Sequence, residues 1–118
     1  DSIAADGSVI NKIGTSGLAV CARDRGTPVM VAAQTIKLDP ATLAGHVVEI
    51  EEREAEEVLP AAERDGLEDV TVANPAFDVT APRYVDAIVT DHGQFAPESI
   101  PWLIRELYGE HVGEPWKE

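Results

Sequence analysis

Residues 29–33, VMVAA, form an uninterrupted apolar run behind the turn residues Thr27 and Pro28. A run this short, with no polar alternation, suits a strand of a parallel sheet buried on both faces. Before it, apolar or small residues recur at Ile10, Ile13, Gly14, Gly17, Leu18 and Cys21, which is helical spacing, and Arg23, Asp24, Arg25 and Gly26 supply a charged, glycine-ended stop. A helix leading directly into a buried strand is half of a right-handed crossover unit. The expected fold is therefore α/β, a Rossmann-like, mostly parallel sheet flanked by helices. Cys21 falls on the stripe expected to be buried, so it reads as a core residue rather than a nucleophile.

Ligands of open α/β sheets bind beyond the carboxyl ends of the strands. Gln34, Thr35 and Lys37 lie just past the end of the 29–33 strand. Lys37 reads either as an ordinary exposed loop lysine or as a contact to an anionic ligand. At the amino end, residues 1–15 (DSIAADGSVINKIGT) combine the turn dipeptide Asp6-Gly7, a capping residue in Ser8 and a helix entry that puts Asn11 and Lys12 in or beside its first turn. Free backbone N–H groups and the positive end of a helix dipole favour a phosphate there, and an amide and an ammonium would add donors. The plain alternative is a glycine turn before a helix.

Further along, short strands are expected at 46–50, 70–73 and 87–90, with an acidic solvated run over 51–57 and a linker-like stretch over 58–68. Residues 74–82, NPAFDVTAP, read as a proline-bracketed loop in which Phe77 is a buttress and Asp78 a turn-former, ahead of direct catalysis. Asp91-His92-Gly93 is the turn after the 87–90 strand, with His92 a turn residue or a ligand contact. The last helix is the clearest element, with Pro97 near its first turn and apolar positions at Ile100, Leu103, Ile104, Leu107 and Tyr108, stopped by Gly109. Beyond it, Trp116 in a polar tail suggests docking onto a neighbouring surface.

Composition excludes several classes. One cysteine precludes an internal disulfide, and three dispersed histidines give no clustered metal-ligand set. No run approaches the ~18 apolar residues of a membrane span, and nothing has the shape of a signal peptide, so a soluble, cytoplasmic chain is expected. Asp and Glu number 22 against 9 Lys plus Arg, for a net charge of -13 spread along the chain. Nucleic-acid binding, which needs a basic footprint, is disfavoured. Diffuse acidity with only three lysines, Lys12, Lys37 and Lys117, suits a halophile, in which salt screens the repulsion between surface carboxylates. Two of those lysines sit at the proposed phosphate positions.

The succession DSIAADGSVINKIGT, PVMVAAQTIKLDP and NPAFDVTAPRYVDAIVTDHG covers nearly the whole chain. It resembles the carboxyl-terminal domain of the superfamily of translation initiation factor 2B subunits and sugar-phosphate isomerases. The closing GEPWKE and Lys37 in QTIKLDP look most like the branch of archaeal ribose-1,5-bisphosphate isomerases, which serve nucleoside salvage. The resemblance implies that residues 1–118 are a Rossmann-like catalytic domain from a longer chain, with the strand and helix expected before Asp1 lying outside it. It further implies an aldose–ketose isomerisation without a cofactor, with Asp1 as general acid, a cysteine from a preceding segment as base, and Asn11, Lys12 and Lys37 on a phosphorylated ribose. Cys21 does not match that cysteine. The implied partners are the missing amino-terminal domain and further copies of the chain. Non-catalytic exchange-factor subunits and methylthioribose-1-phosphate isomerases are the alternatives within the same superfamily.

Overall fold

The computed structural model describes residues 1–109; the expectation for Trp116 lies outside the described residues. Strands β1 (Ser2–Ile3) and β2 (Val9–Lys12) form an antiparallel hairpin, and β2 leads into helix α1 (Thr15–Asp24). Strand β3 (Met30–Ala32) follows, then a long connection of short 3-10 turns. The chain closes with β4 (Phe77–Thr80), β5 (Ala87–Thr90), β6 (Gly93–Phe95) and helix α2 (Ile100–Tyr108). These make two three-stranded sheets, ordered β1-β2-β4 and β3-β5-β6.

The α/β class is thus borne out, but a mostly parallel sheet is not. Among the strands of the described residues β3 and β5 pair in parallel, with one further parallel bridge between Ile3 and Leu38, while β1–β2, β2–β4 and β5–β6 are antiparallel. The expected strand at 29–33 is present and correctly oriented, yet Met30 is 62% exposed, because β3 is an edge strand with its outer side open. No strand forms at 46–50 or 70–73. Instead the NPAFDVT segment, expected as a loop, supplies β4, whose residues pair with β2 in the register Asn11 to Asp78 and Lys12 to Phe77.

The core lies between the β1–β2 hairpin, β5 and α2, and joins Ile3, Val9, Leu38, Ile88, Ile100, Leu103 and Ile104. Helix α2 reads as its periodicity requires: Ile100, Leu103 and Ile104 are buried, together contributing on the order of 5–9 kcal/mol from apolar burial. Helix α1 does not. Its only buried residue is Ala19, while Leu18, 73% exposed, and Cys21 stand in solvent. The expected stripe counted Ile10 and Ile13 as helical, but Ile10 is in β2 and helical phase starts only at Thr15. With Ile10 and Ile13 outside the helix, nothing ties Leu18 to a buried stripe, and Ala19 is the residue that packs inward.

Candidate functional site

The hairpin that carries Asp1 and Asn11 is closed by the Asp6-Gly7 turn. The Asp6 carboxylate accepts the Ser8 backbone N–H at 2.8 Å and its hydroxyl at 3.0 Å, so Ser8 completes a turn and does not cap a helix. The expected placement of Asn11 and Lys12 in a first helical turn is accordingly overturned. They are consecutive residues of β2, and alternation along a strand sends their side chains to opposite faces. The helix start is occupied as well. Asp78 of β4 accepts the Gly14 N–H at 2.8 Å and the Ser16 N–H at 3.2 Å, so a carboxylate of the chain itself holds the donors expected to bind phosphate.

What the structure does assemble is a cavity of about 530 Å³ between β1, α1 and β3. Asp1, Asn11, Thr15 and Lys37 line it together with the apolar residues 29–33 and Leu18. Asn11 Nδ2 donates to Thr15 Oγ1 at 3.2 Å, and the Thr15 hydroxyl donates to the Lys12 carbonyl at 2.7 Å, so the amide is held by a fixed partner. The backbone nitrogen of Asp1 lies 3.3 Å from Asn11 Oδ1, which joins the start of β1 to the Asn11 side chain. Ser2 and Thr80 also belong to the cavity wall, with their hydroxyl oxygens buried and without a hydrogen-bond partner. Asp1, Asn11 and Lys37 of the expected set therefore meet at one cavity. Lys12, on the other face of β2, does not line it.

Three residues gained importance only from the fold. Thr15 orients Asn11, Asp78 clamps the turn between β2 and α1, and Asp91 accepts both the backbone N–H and the hydroxyl of Thr35 beyond the end of β3. Each contact except that of Thr15 spans more than 50 residues, and no local pattern signals it. His92 stays in the β5–β6 turn, its Nδ1 3.4 Å from Asp91. Among the described residues no group of three or more His, Cys, Asp or Glu could hold a metal ion, and no helix is long and apolar enough to cross a membrane.

The structure defines an α/β domain in which a carboxylate, a carboxamide and an ammonium surround an apolar-floored cavity. The chain belongs to the initiation factor 2 subunit family (IF-2B), whose model matches residues 1–97. It is 68% identical over 99% of its length to a ribose 1,5-bisphosphate isomerase of Haloterrigena turkmenica and 66% identical over 100% to that of Haloferax volcanii, both from halophilic archaea. It spans only 38% and 36% of those two relatives. Among solved structures it is similar to 5-methylthioribose 1-phosphate isomerase from Pyrococcus horikoshii, with a TM-score of 0.69 and 38% identity over 91% of this chain and 31% of that one.

Proposed function

We propose that the protein to which these residues belong is a cytoplasmic aldose–ketose isomerase converting ribose 1,5-bisphosphate to ribulose 1,5-bisphosphate, and that residues 1–118 are its carboxyl-terminal Rossmann-like domain. The observation that carries this reading is the convergence of Asp1, Asn11 and Lys37 on one cavity, in a chain so close to isomerases of that name. In the proposed reaction Asp1 protonates the ring oxygen and the bond from that oxygen to C1 breaks. A base from the preceding part of the protein, a cysteine by resemblance, takes the C2 proton and returns it to C1. The Asp1 carboxylate then takes the proton of the C2 hydroxyl, leaving the ketone. The sum is an isomerisation with no net gain or loss of atoms or electrons, so no cofactor is required. Asn11 and Lys37 position the two phosphates.

The Rossmann-like reading draws support from the open edge of β3. Ile3 bridges Leu38 in parallel, and the Asp39 N–H donates to the Ile3 carbonyl at 2.9 Å, so chain entering Asp1 would run alongside β3 in the same direction. A strand there would pair with β3, and α1 would become its crossover helix. It would also cover Met30 and Leu18 and desolvate Asp1, which is exposed here, as a general acid working near neutral pH requires. Trp102, 77% exposed on α2, offers a surface for self-association.

The test is substrate preference in the full-length protein. Lys37→Ala should weaken ribose 1,5-bisphosphate roughly ten- to a hundredfold, the loss of one charge-assisted contact, and leave a monophosphate analogue little changed. Equal losses for both ligands, or better turnover of methylthioribose 1-phosphate than of the bisphosphate, would replace the two-phosphate assignment with the methylthio-sugar reading.

A further inference from the structure

We propose that Asp91 is a positioning residue for Lys37, acting across the sheet through Thr35; this rests on the reading of Lys37 as a phosphate contact. The chain leaves β3 after the Ala33 N–H donates to the Val89 carbonyl at 2.9 Å, the last bond of the β3–β5 ladder. Residues Thr35–Lys37 then make a single 3-10 turn with no buried residue, and Ile36 is 78% exposed. Its internal support is two backbone bonds, Lys37 N–H to Gln34 and Leu38 N–H to Thr35. So short a turn has little stability of its own. At its far end it is tied down by Leu38, 3% exposed in the core, and by the Asp39 N–H on Ile3.

At its near end the tie is Asp91. Its Oδ1 accepts the Thr35 N–H at 2.7 Å and its Oδ2 accepts the Thr35 hydroxyl at 3.1 Å. The first of these is a short, charge-assisted bond to the backbone that begins the turn. Asp91 is itself fixed by the β5–β6 hairpin, in which the Thr90 hydroxyl donates to the Gly93 carbonyl at 2.9 Å and accepts the His92 N–H at 3.0 Å. Rigidity therefore passes from the paired hairpin to Thr35 and, two residues on, to Lys37 at the cavity rim. Neither Asp91 nor Thr35 lines the cavity, so Asp91 acts on the ligand only through the turn. Without the clasp, the segment between Ala33 and Leu38 keeps its sequence and charge but loses the anchor that aims its ammonium.

The test is a double-variant cycle in the full-length enzyme, read as KM and kcat for ribose 1,5-bisphosphate, with thermal midpoints confirming that each variant folds. Asp91→Ala is expected to raise KM about tenfold, the scale of one misplaced charge-assisted contact, with kcat little changed. In a Lys37→Ala background the same change should add less than about twofold, because its target is gone. Asp91→Asn retains an acceptor oxygen for the Thr35 N–H and should recover most of the loss. A purely structural role would multiply the two defects. Impaired Lys37→Ala beside unimpaired Asp91→Ala, or multiplied losses in the double variant, overturns the clasp alone. Normal KM in Lys37→Ala overturns the reading of the cavity, and the clasp with it.

Discussion

Replacing Gly7 with alanine should unfold the site from a distance. Gly7 closes the hairpin that carries Asp1 and Asn11, with φ +89, and an added Cβ would sit 2.4 Å from the Pro97 carbonyl oxygen and 2.8 Å from its carbonyl carbon. Both distances are inside the 3.0 Å that Cβ atoms essentially never cross, and the nearest atoms are backbone at the entry to α2, which cannot rotate away. A left-handed backbone costs a non-glycine residue about 1–2 kcal/mol, and overpacking adds about 1–3 kcal/mol. The sum, ~2–5 kcal/mol, corresponds to a fall in thermal midpoint of roughly 8–20 °C for a domain near this size. Gly26 isolates the first contribution, since its φ is +70 but a Cβ there would meet nothing within 4 Å. Circular dichroism melts of Gly7→Ala and Gly26→Ala in molar potassium chloride separate the two. If both variants fall by the same amount, the close approach of the hairpin turn to Pro97 is refuted.

Three further outcomes follow from the same geometry. Asp78→Ala should cost about 1–2 kcal/mol through loss of the bonds to Gly14 and Ser16, with faster hydrogen exchange confined to the first turn of α1; unchanged exchange there would contradict the clamp. The Thr35 backbone N–H holds the Asp91 carboxyl below the usual carboxylate range. Its contribution to stability is therefore present above the unfolded pKa and lost as pH falls through the lower folded one. An NMR titration should find Asp91 ionised to below the usual carboxylate range, and Asp91→Asn should lose less stability on acidification. With a net charge of -13, the melting midpoint should rise from low to molar potassium chloride, and a flat or falling midpoint would remove the halophile reading.

Helix α2 was legible because Pro97, the Ile100–Leu103–Ile104 spacing and Gly109 all give the same phase and stop. The strand at β3, the turn at Asp91 and the Asp6-Gly7 turn were legible for similar local reasons. The β2–α1 boundary was not. Val9 and Ile10 continue a small and apolar pattern that fits either period, and the choice was made by β4, which pairs with β2 from more than 60 residues away. That pairing also hid the fate of the helix start: Asp78 reads as a turn residue until the register brings it opposite Asn11. The rim residues fared differently. Asp1 was singled out by motif order and Lys37 by the carboxyl-end rule for α/β sheets, and neither depends on whether residues 9–12 are helix or strand; the helix-start argument for Asn11 did, and only the motif resemblance remains for it.

The most direct measurement is turnover by the full-length protein and its Asp1→Asn variant, with ribose 1,5-bisphosphate as substrate and ribulose 1,5-bisphosphate as the product followed. The amide keeps the shape and hydrogen-bonding reach of Asp1 but has no acidic proton to give to the ring oxygen. The expected result is robust ketose formation by the native protein and, in the variant, substrate binding within about threefold of native with turnover abolished. Normal turnover by Asp1→Asn, or no ketose from the native protein, would contradict the assignment of this cavity as an isomerase site and leave a non-catalytic family subunit as the better description.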